Sequence, residues 1–305
     1  MRNNTQRNVA RPARTGFTVT ELVVVVAIIG LIVALLVPTI GKVRSKSRTL
    51  KCLTNQRTIT MANYTYATSN QSRFASSCTN SGGTLYVNGA DISNGTAHCW
   101  VKAEGSNLVA NQFEKPSALE QGSLYSYIGD VKTYISPDEP TNPLASNVSN
   151  TGTRVRSYSF NALLGCTRPE DNISYDGDFQ SEMYGVRPQL SQYNSTTIGT
   201  IKSPQRMMAT VVEDDSVYYN LNGWIIKPQL AQWVDWPAAW RPDAITMSYV
   251  DGSTDSYALS NPDLPTAWDS VGHNYVEPGI AVDWKFFRDR LNPGVIPNST
   301  YLFGN

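Results

Sequence analysis

Phe17 to Val37 reads FTVTELVVVVAIIGLIVALLV, a run of 21 residues whose only charge is Glu21. At about 1.5 Å per residue a helix over that run is roughly 31 Å long, which matches the ~30 Å hydrocarbon core of a bilayer. The pattern predicts a membrane-spanning helix. A secretory signal peptide fits less well, because its apolar region is usually about 7–15 residues and ends in a small-x-small cleavage pattern. The following PTIGKVRSKSR has no such pattern. Pro38 cannot donate to the carbonyl of Ala34 and is expected to kink the helix without ending it. From Thr39 to Asn70 the chain lacks proline and keeps Ile40, Val43, Leu50, Leu53, Ile59, Met61 and Tyr64 at a loosely helical spacing. One long helix is expected, with one half in lipid and an amphipathic half packed on a globular domain.

From Gln71 onward Gly, Pro, Asn, Ser and aromatics are mixed with short β-type runs. Met207 to Val212 and Ala244 to Val250 are the clearest strands. The second alternates Ile245, Met247 and Tyr249 with Thr246 and Ser248, a pattern that buries one face. Asp251-Gly252 then supplies the turn of a hairpin returning through Ser253 to Leu259, and Asn222-Gly223 marks another candidate hairpin. The fold class predicted is α+β, with the long N-terminal helix packed on an antiparallel sheet.

The 305 residues include 41% hydrophobic and only 16% charged residues, so the chain can bury a core while its surface relies on Ser, Thr, Asn and Tyr. A formal net charge of zero removes any global drive toward nucleic acid, and no nucleic-acid partner is expected. The zero hides an asymmetry. Residues 1–16 carry Arg2, Arg7, Arg11 and Arg14 and no acid, so their removal leaves a net charge of minus four. Lys42, Arg44, Lys46, Arg48 and Lys51 follow the span, and counting flanking positives therefore does not orient it. No acid occurs between Glu21 and Asp91. That basic stretch suits either a solvated helix face or contact with anionic membrane lipid.

Gly16-Phe17-Thr18-Val19-Thr20-Glu21, leading into the apolar run, resembles the cleavage and methylation signal of type IV prepilins and type II secretion pseudopilins. The resemblance implies that a prepilin peptidase cuts after Gly16 on the cytoplasmic side and methylates the new amine of Phe17. Residues 1–16 are then a leader, 17–37 the transmembrane and filament-core helix, 38–70 its continuation, and 71–305 a periplasmic or extracellular domain. Glu21 matches the family's glutamate, and Gly30 and Pro38 stand where pilins commonly carry these residues. Val19 and Thr20 replace the more usual Leu-Ile. The implied partners are other pilin or pseudopilin subunits and an inner-membrane assembly platform.

The chemistry of the signal is readable by itself. An ammonium at Phe17 beside hydrocarbon is costly unless it meets an anion, and Glu21 is the nearby candidate, in the same chain or a neighbouring one. Gly30 and Ala34 form a small-xxx-small pair that permits close helix approach, although small residues are also ordinary in spans.

A second resemblance lies in the globular part. Arg156-Ser157-Tyr158-Ser159-Phe160-Asn161, Ile201-Lys202-Ser203-Pro204 and Trp233-Val234-Asp235-Trp236-Pro237-Ala238 are similar to large pseudopilin-like proteins with an H-x9-DG signature. Asp251-Gly252 is present, but Arg241 holds the histidine position. Ser136-Pro137-Asp138 stands where those proteins carry Cys-Pro-x-Asp.

Four cysteines in an exported chain permit three pairings. Cys78 and Cys99 enclose a loop whose closure adds roughly 3 kcal/mol; Cys52 and Cys166 would then tie helix to domain. Two histidines, His98 and His273, leave little for a His-based metal centre. Asp176 and Asp178, in a loop loosely like a calcium site but without the closing Glu, and Asp251 with Asp255 are calcium candidates that compete with solvated turns. Apart from calcium no cofactor is expected. Trp224, Trp233, Trp236 and Trp240 suit core packing first and an aromatic platform for a glycan or a subunit second. No nucleophile elbow, P-loop or dinucleotide fingerprint occurs, and the chain is not expected to be an enzyme. The alternatives to a polymerising subunit are a single-pass anchor that displays a glycan-binding or scaffold domain, and an anchored hydrolase.

Overall fold

A computed structural model of the protein describes residues 16–81, 86–87, 90–91, 99–103, 119–139, 156–165, 195, 197–214, 223–227, 232–241, 243–271, 275–276 and 282–296. The chain divides into two units, Met1–Ser47 and Arg48–Asn305. Helix α1, Val19–Ser69, runs 51 residues and passes through Pro38 without ending.

In the first unit α1 begins with a capping box. Thr18 is the cap: its hydroxyl accepts from the Glu21 backbone N–H at 3.3 Å, and Glu21 Oε2 accepts from the Thr18 N–H at 2.9 Å and hydroxyl at 2.7 Å. Two groups that the first turn leaves unpaired are thereby satisfied. The large apolar side chains from Leu22 to Val37 are all exposed. Among the described residues this is the one helix long and apolar enough to cross a membrane. At the Pro38 turn the Thr39 hydroxyl donates to the Leu36 carbonyl at 2.7 Å.

The second unit is α+β. Its main sheet is antiparallel in the order β10-β9-β6-β5, built from β5 (Tyr158–Phe160), β6 (Met208–Val212), β9 (Ile245–Tyr249) and β10 (Thr254–Tyr257). Thr210 pairs with Ser248 and Val211 with Met247, while Tyr158 pairs with Val212. Strands β1 (Ser76–Ser81) and β4 (Cys99–Ala103) pair in parallel, and β2 (Tyr86–Val87) and β3 (Ala90–Asp91) antiparallel. A three-stranded antiparallel sheet joins β7 (Ile226–Lys227), β8 (Gln232–Trp233) and β11 (Tyr275–Val276). Helices α2 (Tyr125–Ile128), α3 (Leu264–Val271) and α4 (Val282–Leu291) complete the unit.

The β9–β10 hairpin forms as the sequence predicts. Gly252 takes φ +84°, the left-handed conformation its turn requires, and Asp251 Oδ1 accepts from the Ser253 N–H and hydroxyl at 2.9 and 2.6 Å. The hairpin expected at Asn222-Gly223 involves residues outside those described. Gly223 is in the left-handed region, and the Trp224 N–H donates to the Phe160 carbonyl at 2.7 Å.

Two expectations about faces are corrected. Strand β9 buries all five of its residues, Thr246 and Ser248 included. On α1 the side chains Ile40, Val43, Leu50, Met61 and Tyr64 are exposed, and the buried set is Cys52, Asn55, Gln56, Ile59, Thr60, Ala62, Asn63, Tyr66 and Ala67. The buried face of the helix is thus mixed, and its polar members Gln56 and Thr60 meet the polar face of β9. On the outward side the hydroxyls of Thr54, Thr58, Thr65 and Thr68 donate back to helix carbonyls.

The core is aromatic. Trp233 makes edge contacts with Trp224, Trp268 and Phe287, with ring centroids 6.5, 5.3 and 5.6 Å away, and Trp236 stacks on Trp268 at 5.0 Å. Asp283 in the first turn of α4 has no exposed surface and accepts from the Tyr257 hydroxyl, Ser260 N–H and Asn261 N–H at 2.6, 2.7 and 2.9 Å. A single carboxylate thereby joins the end of β10 to α4.

Candidate functional site in the helix cradle

Arg241, strand β9 with its Asp251-Gly252 turn, Ser136 and Tyr158 all meet the part of α1 that follows Ser47. Strand β9 and its flanks run alongside the helix in the same direction. Arg241 Nη1 donates to the Thr49 hydroxyl at 2.8 Å, Gln56 Nε2 to the Thr246 hydroxyl at 2.6 Å, and the Thr60 and Ser248 hydroxyls meet at 2.6 Å. Beyond them Gly252 lies so close to Met61 that a Cβ at this position would sit 2.5 Å from Met61 Sδ. Arg241 and the Asp251-Gly252 turn therefore both sit against the helix. The Arg241 guanidinium also lies 3.6 Å from Asp138 and from Asp243.

The Ser-Pro-Asp segment forms the other wall. Cys52 Sγ lies 3.1 Å from Ser136 Oγ, and the Ser136 N–H donates to Ser157 Oγ at 2.8 Å. Asn55 Nδ2 donates to the Ile135 carbonyl at 3.1 Å and to the Tyr158 hydroxyl at 3.4 Å. Asp138 Oδ1 is 3.7 Å from Arg48, an ion pair exposed enough to add little stability. Burial pushes the Cys52 thiol above its ordinary value and outweighs the hydrogen bond with Ser136. Burial likewise raises the Tyr158 phenol. Both groups are held protonated, which suits packing and not nucleophilic attack.

Behind β5 lies a buried charged group. Arg156 Nη1 donates to Ser159 Oγ at 3.0 Å with its guanidinium 5.1 Å from the Trp100 ring centre, and Ser159 Oγ donates to Glu213. A buried charge needs such partners. Arg156 and Ser159 belong to the Arg-Ser-Tyr-Ser-Phe-Asn motif, whose asparagine, Asn161, ties β6 to the end of α4 by donating to the carbonyls of Met208 and Leu291 at 2.9 and 2.6 Å.

The remaining candidate residues fall elsewhere. Gly16 and Phe17 are exposed ahead of α1, and Glu21 belongs to the capping box. Gly30 has no atom within 4 Å of the place where a Cβ would stand. Cys52 is a buried thiol that meets the Ser136 hydroxyl. Cys166 and the side chain of Cys78 lie outside the described residues, while Cys99 is buried in β4. Asp176 and Asp178 also lie outside them. Asp251 and Asp255 each accept from local backbone N–H groups, and among the described residues no three His, Cys, Asp or Glu side chains gather as a metal would require. Trp224, Trp233 and Trp236 are buried and Trp240 is partly buried, so the cluster is core, not a platform open to a glycan.

Sequence reasoning missed Asn55, Gln56, Thr60, Asn63 and Thr210. The signal was present as the i, i+4, i+7 spacing of Gln56, Thr60 and Asn63, which an apolar-only search for the buried face overlooks. No protein-family model matches the chain, and no curated protein or solved structure matches it either.

Proposed function

We propose that the protein is a prepilin-like structural subunit, cut after Gly16, methylated at Phe17, and assembled into a type IV pilus or type II secretion pseudopilus. The observation that carries this reading is the stretch Gly16-Phe17-Thr18-Val19-Thr20-Glu21 at the head of a 21-residue apolar run. Cleavage there turns the Phe17 nitrogen into an ammonium beside the one carboxylate of the span. In lipid that charge draws Glu21 of its own or an adjoining subunit. The exposed apolar helix and the α+β unit support the pilin-like reading of the fold.

On this reading the partners are further subunits, a prepilin peptidase, an assembly platform and membrane lipid. The chain is a single-pass inner-membrane protein with a cytoplasmic N-terminus before it enters a filament outside. The cradle's role is to hold the helix to the domain that it carries, and the protein acts as a building block, not an enzyme.

Intact-mass measurement of membrane-extracted protein tests the processing step. The expected mature chain begins at methylated Phe17, and persistence of Met1 in cells with an active prepilin peptidase overturns the proposal. Glu21→Ala tests assembly: filament incorporation is expected to collapse while surface display survives. A non-polymerising anchor would show no change in either.

A further inference from the structure

The interface between α1 and the main sheet is held by a closed set of side-chain hydrogen bonds. Thr60, Ser248, Thr210, Gln56 and Thr246 are all buried. Thr210 donates to Gln56 Oε1 at 2.9 Å, which leaves its oxygen to accept from Ser248 at 2.5 Å and the Ser248 oxygen to accept from Thr60 at 2.6 Å. Gln56 Nε2 then donates to Thr246 at 2.6 Å. In this arrangement each of the five side chains has at least one partner within the seam.

The seam is also commensurate. From Gln56 to Thr60 the helix rises about 6 Å, and from Thr246 to Ser248 the strand advances about 6.6 Å, so successive rungs meet successive partners. A slip of one helical turn sets Cys52 opposite Thr246 and Gln56 opposite Ser248, or Thr60 opposite Thr246 and Tyr64 opposite Ser248. Either slip breaks the Gln56–Thr246, Thr60–Ser248 and Thr210–Gln56 bonds together. The apolar part of the same helix face is Ile59, Ala62, Tyr66 and Ala67. Ile59 and Tyr66 supply the relief of that part, and its two alanines add little to it.

We infer that this polar seam sets the axial register of α1 on the sheet, with apolar contacts supplying adhesion and the hydrogen bonds supplying position. The energetic asymmetry of hydrogen bonds makes this possible. A satisfied buried pair contributes little net stability, whereas an unmade one costs the full desolvation of each group. Buried polar residues fix register in coiled coils by the same device.

The test uses Cys52 as a gauge. In the full-length chain carrying Ser136→Cys, an oxidised bridge from Cys52 to position 136, mapped by peptide mass, reports the native register. The seam is then made apolar by Gln56→Met, Thr60→Val, Thr210→Val, Thr246→Val and Ser248→Ala together. Helix content and melting temperature are expected to stay near those of the parent. The bridge yield under exchange conditions is expected to fall roughly tenfold, equivalent to about 1.4 kcal/mol of register preference. With Cys52→Ser and Arg48→Cys in that background, a bridge from position 48 to 136 is expected to rise.

Undiminished bridging from Cys52 in a folded apolar seam overturns the inference. If the fivefold variant does not fold, Thr60→Val with Ser248→Ala is measured alone. A several-fold loss of bridging supports the lock, and unchanged bridging overturns it. A seam whose loss unfolds both variants is a stabilising element, and the register inference falls with that result too.

Discussion

Cys52 Sγ and Ser136 Oγ lie 3.1 Å apart, and the backbone of Ser136 is in turn held by Ser157 of the motif that leads into β5. A serine here faces a cysteine. Ser136→Cys is therefore expected to form a disulfide with Cys52 under mild oxidation. Closing a loop of that length adds about 4.6 kcal/mol in the chain-entropy account. A rise in melting temperature that disappears with reductant is the readout; no bridge and no rise would mean that the side chains do not meet.

Because burial holds Cys52 as a thiol, alkylation of the folded protein at pH 8 is expected to spare it until denaturant is added. The folded thiol's raised pKa also fixes a pH dependence. Its contribution to stability is complete below the ordinary thiol range, near ~8.5, and is lost as pH rises through the folded value. Denaturation profiles of the parent and Cys52→Ala across the alkaline range check the sign: the parent loses stability on this account and the variant does not.

Gly252→Ala places a side chain at φ +84°. The cost is expected to be about 1–3 kcal/mol, chiefly from backbone strain. The approach to Met61 adds little, because that side chain is flexible and partly exposed, so Met61→Ala should not rescue the variant. Urea denaturation of the two single variants and the double variant measures both terms.

Asp283→Ala leaves the Tyr257 hydroxyl and the Ser260 and Asn261 N–H groups without their acceptor. The expected loss is about 3 kcal/mol, with Asp283→Asn losing less because one carbonyl oxygen remains. Equal losses in the two variants would count against the three-bond staple.

Much of the fold is legible in the chain, for local reasons. The apolar run from Phe17, the β9 alternation and the Asp-Gly turn each follow from side-chain period or backbone freedom over a few residues. What misleads is the assumption that polar means outward. Thr246 and Ser248 read as a solvent face, yet they meet Gln56 and Thr60, almost 190 positions away in sequence. Satisfaction of a buried hydroxyl depends on its partner, and a partner so distant leaves no local trace. Exposed Leu50, Met61 and Tyr64 misdirected the amphipathic reading of the same helix for the matching reason. Arg241 is a milder case: its charge is plain in the chain, but its grip on Thr49 is not.

The threonines at 54, 58, 65 and 68 turn their hydroxyls into the helix backbone and present methyl groups to the surroundings. Arg57 is the only formal charge between Cys52 and Ser69. This stretch consequently offers almost no electrical handle. Changes of ionic strength leave it nearly untouched, and cosolvents that alter water's tolerance of methyl groups are the agents to which its outer side responds.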